Sequence, residues 1–501
     1  MPARPDARLR ALASMILGLL ALAVYARTLQ HPFVVYDDPG YVLDNPLVTS
    51  TQPGTWQRLW DPRHPEGRHL GQYAPVRDSL FRLEYQVAGA RPLLYHLTNV
   101  LLHVGCTVVL LLILLALEIE LIVAFVTGVL FAIHPVAVEV VAWVSGRKDS
   151  LGLLCCLCSL ALLLRAARAS PARAVGWAVA SVALWLSGVL AKPTFVVWPI
   201  LVLAIAWARP GLRPAHRLAR AIGLYAPVAL SALPALFVAR AIPTEAFAAQ
   251  RASGLEPSPW VVGYALVQYA LALFWPSGLA VVHPSRGDLL TAGHSVLWSL
   301  PTVALCALGV ALAVRRHRAG LALYACFVLP LLPVLNLLPN NALWADRFLY
   351  LPRVVPSLLA AWTVAALARS RSAILRTASL TTAACLGAIL YVVTLIYVST
   401  FESTHAMWSH AARVDPRAYV AQINLAVSDL DDHLPEDAIG HYRIAMLYGV
   451  EKVADRMATA FTVHARERDC TCVCRALAAG RRQGIVFSAD WPRVFGCDQR
   501  P

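Results

Sequence analysis

Apolar runs of about twenty residues recur along this chain of 501 residues, and they constrain its fold more than any other feature. They lie near 11–29, 94–117, 119–138, 149–167, 174–191, 193–208, 221–241, 293–314, 319–338, 352–368 and 377–399. A helix needs about 20 mostly apolar residues to cross the hydrocarbon of a bilayer. In that medium every backbone polar group must be satisfied within the helix itself. Hydrophobic residues make up 58% of the chain and charged residues 14%, against roughly 45–50% and about 25% in soluble domains. A soluble enzyme, a disordered tail protein and a DNA-binding factor are excluded. The pattern predicts an all-α fold, a polytopic membrane helix bundle of about 11 spans with a small exoplasmic helical tail. A further run near 260–283 is punctuated by Pro259, Pro276 and Pro284 and reads as re-entrant or interfacial.

The net charge is +14, and only three of the 43 basic residues are Lys: Lys148, Lys192 and Lys452. Basic residues concentrate in cytoplasmic loops. Five Arg clusters therefore mark one side: Arg4/Arg8/Arg10, Arg165/Arg168/Arg173, Arg209/Arg213/Arg217/Arg220, Arg315/Arg316/Arg318 and Arg369/Arg371/Arg376. The charge thus reads as topology, with no nucleic-acid partner implied. The first loop 30–93, the connection 134–149, the segment 339–351 and the tail from 401 fall on the opposite, exoplasmic side. The Arg, Ala, Leu and Pro usage suggests a GC-rich genome. It favours a bacterial inner membrane, with the site and C-terminus on the periplasmic side.

Polar residues without a solubilising role gather on that face. Asp37 and Asp38 follow the first span in Y-D-D-P. Adjacent carboxylates can take a proton from a hydroxyl or hold a divalent cation. The plainer reading is a solvated turn before Pro39. His96, Asn99 and His103 share one helical face, lining a site or bonding between helices. His134, Glu139, Arg147 and Lys148 follow in H-P-V-A-V-E-V-V-A-W-V-S-G-R-K-D. Glu139 stands in an apolar stretch and needs a partner, with Arg147 and Arg347 as candidates. Lys192 in A-K-P and Asp346 and Arg347 in A-D-R-F-L-Y-L-P complete the set. Cations at exoplasmic helix ends suit a phosphate. Snorkelling or pairing is the alternative for them.

Residues 1–400 read as the membrane domain. Within 401–450, Leu425, Ala426, Ala438, Tyr442 and Ala445 stand where a tetratricopeptide repeat puts its packing residues. One repeat predicts a helical hairpin docked on the bundle or on a partner. Residues 451–501 are rich in Arg and Cys and read as a poorly ordered tail. The C-T-C-V-C spacing there is not that of a zinc knuckle, and a disulfide to Cys497 is open in an oxidising compartment.

Taken in order, Y-D-D-P, Y-H-L-T-N-V-L-L-H, the A-I-H-P stretch through R-K-D, A-K-P and A-D-R-F-L-Y-L-P give the chain a family resemblance. It resembles the integral-membrane GT-C glycosyltransferases with C-terminal tetratricopeptide repeats. These are similar to the transmembrane O-mannosyltransferases and, more distantly, to the protein O-mannosyltransferases. The resemblance covers about 30–450. It implies a polyprenyl-phosphate-linked sugar donor, mannose among the candidates, and a protein or glycan acceptor hydroxyl. It also implies inverting transfer at an exoplasmic site. The catalytic base maps onto Asp37, with Asp38 adjacent, and the phosphate-binding cations onto Arg147, Lys148, Lys192 and Arg347. His96, His134, Glu139 and Asp346 join them as substrate-binding candidates. Ala74, where a bulkier polar or basic residue is expected, and the shortened repeat array depart from the pattern. The rival expectations are a non-catalytic membrane scaffold and a lipid-linked sugar transporter.

Overall fold

A computed structural model of the chain describes residues 6–66, 72–209, 258–283, 295–337, 342–448 and 470–483, with single residues between 453 and 497. The described residues are helical, with no strand among them. They divide into two units, one of residues 1–279 and 287–399, the other of 280–286 and 400–501.

The first unit is a membrane helix bundle. Its helices are α1 (Ala7–Tyr25), α2 (Pro75–Ala88), α3 (Pro92–Ala116), α4 (Leu121–Ile133), α5 (Val138–Ala142), α6 (Arg147–Ala166) and α7 (Pro171–Ala191). Then come α8 (Trp198–Ala208), α9 (Pro259–Phe274), α10 (Ser295–Val314), α11 (Arg318–Val328), α12 (Val354–Ala368) and α13 (Ala373–Ser399). Six helical segments are long and apolar enough to cross a membrane: Ala7–Gln30, Pro92–Ala116, Val144–Ala166, Arg173–Ala191, Ser295–Val314 and Ala373–Ser399. Leu121–Ile133 and Pro135–Ala142 make a seventh if the bent pair is one span. Four further apolar helices are shorter, among them Pro259–Phe274 in the interrupted run. The run expected near 221–241 lies outside the described residues.

The helix ends follow local chemistry. Asp6 caps α1 by accepting from the backbone of Arg8 (3.4 Å). Proline opens α2, α3 and α7, where a missing N–H costs nothing. Pro135 cannot continue α4, and the chain turns by 55° there. The His134 Nδ1 then accepts from the Val136 N–H (3.3 Å), so this residue starts the next turn.

Small residues let the helices approach, as membrane packing favours. A Cβ on Gly128 of α4 would lie 2.5 Å from Leu17 of α1, and one on Gly152 of α6 would lie 2.4 Å from Phe195. The Ser159 and Ser181 hydroxyls join α6 to α7 at 2.8 Å. On α3, the shared polar face turns inward and bonds between helices. His103 meets the Tyr350 hydroxyl (2.7 Å) and the Ala132 carbonyl (3.2 Å), and Asn99 donates to the Trp143 carbonyl (2.8 Å).

In the second unit, α14 (Thr404–Val414), α15 (Tyr419–Asp431) and α16 (Pro435–Tyr448) are followed by α17 (Cys470–Arg482). Ala426, Ala438, Tyr442 and Ala445 share one core, and Leu425 lies outside that cluster. That core also takes Val453, Met457 and Phe461 and, from α17, Val473, Ala476 and Leu477. Most of 451–501 lies outside the described residues; those that are described pack on this core. Two helices cannot cover their own apolar face, and the downstream residues cover it. A Cys474–Cys497 disulfide links α17 to the end of the chain.

Candidate functional site

The two aspartates after α1 have different surroundings. Asp38 is buried, with 1% of its surface exposed. It accepts from the Val34 N–H (3.1 Å), the Ser145 N–H (2.9 Å) and the Ser145 hydroxyl. Burial pushes its carboxyl up to about 6, against the pull of those hydrogen bonds. Asp38 thus ties the first loop to the 143–146 segment that precedes α6. Asp37, next in the chain, is half-buried. Its side chain makes no hydrogen bond or ion pair with the described residues. A carboxylate held by its neighbour and left unengaged can accept a proton from an incoming hydroxyl.

Cations surround this point. Lys148, at the start of α6, is buried with its amine 5.4 Å from the centre of the Tyr41 ring. The charges acting on it include Asp37, Arg347, Arg77 and Asp149. Lys192 ends α7 and pairs with Asp149. Arg347 pairs with Glu139, whose other oxygen accepts the Arg347 backbone N–H (2.9 Å). The buried glutamate therefore finds its partner in Arg347 and not in Arg147. Lys192 and Arg347 both lie over the Phe348 ring, at 5.4 Å and 5.1 Å. With Asp149 and Phe348 they line an open pocket.

The other expected site residues are bound into the fold. Arg147 gives Nε to Asn99 (2.9 Å), Nη2 to the Tyr95 carbonyl (2.8 Å) and Nη1 to Glu84. All three of its nitrogens are engaged, so its geometry is that of a tie between helices. The His134 Nε2 lies 3.1 Å from the Leu273 carbonyl, and the His96 Nε2 lies 3.4 Å from the Pro32 carbonyl. Asp346 is fully buried and accepts from the Tyr397 hydroxyl (3.3 Å). Asp37, Lys148, Lys192 and Arg347 are thus drawn together. His96, His134, Asp346 and Arg147 support them from within.

Arg77 is a participant that motif reading passed over. It pairs with Asp78 (2.7 Å) and stacks over Tyr41 at 4.1 Å, the same ring that Lys148 approaches. The signal for it is its place in Y-A-P-V-R-D, three residues after Ala74. Among the described residues, no three His, Cys, Asp or Glu side chains could hold a metal ion together.

Part of the chain is 35% identical, over 181 residues, to protein O-mannosyl-transferase Tmtc1 of Drosophila melanogaster; this is 35% of the chain and 20% of that protein. The chain resembles the protein O-mannosyl-transferases. It is 32% identical over 171 residues to TMTC2 of Mus musculus, covering 33% of the chain and 20% of that protein. It is 33% identical over 149 residues to TMTC1 of Homo sapiens, covering 28% of the chain and 16% of that protein. The match thus spans about a fifth of the length of these O-mannosyl-transferases. No family model matches the chain, and no solved structure does.

Proposed function

We propose that the chain is a membrane glycosyltransferase. In this reading it moves a sugar, mannose first among the candidates, from a polyprenyl-phosphate to a Ser or Thr hydroxyl of a protein at the exoplasmic face. The observation that carries it is the unengaged carboxylate of Asp37, whose charge acts on the buried amine of Lys148, with Lys192 and Arg347 lining a pocket. The names of the O-mannosyl-transferases it resembles supply the sugar and the acceptor class.

The donor's lipid lies in the bilayer, and its phosphate meets Lys148, Lys192 and Arg347. Asp37 takes the proton of the acceptor hydroxyl as that oxygen attacks the anomeric carbon. The bond to the phosphate oxygen breaks on the opposite side, and its electron pair leaves with the phosphate. The configuration therefore inverts. Cations fixed before the reaction stabilise the charge as it grows. Arg347 is held by Glu139 and Lys192 by Asp149, so neither must reorganise when the donor arrives.

A reconstituted assay tests this. The full chain in liposomes receives a panel of polyprenyl-phosphate sugars and peptide acceptors. Sugar transfer to peptide from at least one donor is expected. No transfer with any donor overturns the reading. Movement of labelled lipid across the bilayer without transfer would favour a transporter.

A further inference from the structure

Immediately before Asp37 stands an aromatic side chain that the mechanism above leaves unused. This residue, Tyr36, keeps 38% of its surface exposed. Its ring lies nearly parallel to that of Trp143, with centroids 5.6 Å apart and 15° between the planes. Trp143 is itself buried, with 1% exposed, and is two residues from Ser145, which holds Asp38. The ring of Tyr36 is therefore braced twice, by the stack and by the Asp38 clamp two residues later. Its backbone N–H is also fixed, on the Val34 carbonyl (2.9 Å). Tyr36 also lies within electrostatic reach of Arg347.

The chemistry of displacement says what lies at such a place. The anomeric carbon sits between the oxygen that attacks, near the base, and the phosphate that leaves, near the cations. The sugar ring must therefore occupy the space between Asp37 and Arg347. A hexopyranose presents C–H groups on its faces and hydroxyls around its edge. A fixed, exposed aromatic ring matches such a face, and aromatic contacts are geometrically selective.

We propose that Tyr36 is the specificity-determining residue on which the transferred sugar stacks. This rests on the transferase reading and assigns the sugar's position within that site. The stacking uses the ring and not the phenol hydroxyl, so it separates ring loss from hydroxyl loss.

The test compares Tyr36→Phe and Tyr36→Ala with the unaltered chain in the liposome assay, measuring KM for donor and for peptide separately. Thermal melting of each variant shows that it is folded. Tyr36→Phe should keep the donor KM within about twofold. Tyr36→Ala should raise the donor KM about tenfold, the upper range for one aromatic contact, with little change in the peptide KM. It should also narrow the preference between polyprenyl-phosphate sugars that differ in one ring hydroxyl. An unchanged donor KM in Tyr36→Ala would overturn the proposal. So would Tyr36→Phe failing as badly as Tyr36→Ala. Either result leaves the transferase reading standing, whereas an unaltered chain inactive with every donor strikes that reading first.

Discussion

Two carboxylates one residue apart have been given different environments, and in the proposed mechanism that difference assigns the base to Asp37. Asp38 is consumed by three hydrogen bonds, while the Asp37 carboxylate makes none with the described residues and acts on Lys148 through its charge. The motif Y-D-D-P offered both as candidates and could not separate them. The separating partner, Ser145, lies 107 residues away in the chain. Only folding brings it near.

The burial of Asp38 has a consequence for pH. Its carboxyl rises from 3.8 to about 6 in the folded chain. The fold therefore holds this proton more tightly than the unfolded chain does. The stabilisation is full below about pH 4 and is lost as the pH rises through about 6, an effect on the order of 3 kcal/mol. Asp38→Asn keeps an acceptor for Ser145 but cannot titrate. Melting temperatures measured between pH 4 and pH 7 should fall with rising pH in the unaltered chain and run flatter in the variant. Equal slopes would contradict the assignment.

At the scale of elements, the first loop is more structured than its sequence suggested. Residues 75–88 form α2, and Glu84 on that helix pairs with Arg147 at the start of α6. Arg147 was read as a phosphate ligand because a cation on the exoplasmic side runs against the usual bias. Its partner was hidden in a segment whose apolar positions are too few to announce a buried helix. Removing one member of a buried pair strands the other charge, at a cost of about 3–5 kcal/mol. Glu84→Ala and Arg147→Ala should each lower the melting temperature of the detergent-solubilised protein by several degrees. Glu84→Gln with Arg147→Met should recover much of the loss. Full stability in either single variant would return Arg147 to the candidates for the phosphate.

The tail teaches a similar lesson. The apolar positions of α17 are Cys472, Val473, Ala476 and Leu477, spaced for one helical face. Small residues and flanking arginines masked that spacing. Ala438, Tyr442 and Ala445, at i, i+4 and i+7 on α16, fall on one helical face and share that core.

Across the whole molecule, the apolar runs foretold an all-α membrane bundle, since hydrocarbon leaves the backbone few choices. The number of crossings was less legible. Length and composition mark six or seven spans among the described residues, and several apolar helices are too short to decide. Proline breaks such as His134–Pro135 turn one apolar run into two directions, which hydropathy alone does not register. The order of five short motifs pointed to a family that the comparisons also reach, through relatives matched over about a fifth of their length.

The account stands or falls on Asp37 as the base. The direct measurement is transfer of labelled sugar from a polyprenyl-phosphate to peptide in proteoliposomes, comparing the unaltered chain with Asp37→Asn. Transfer should fall by at least about 100-fold while the melting temperature stays unchanged. Transfer within a few-fold of the unaltered chain, in a folded Asp37→Asn variant, would contradict it.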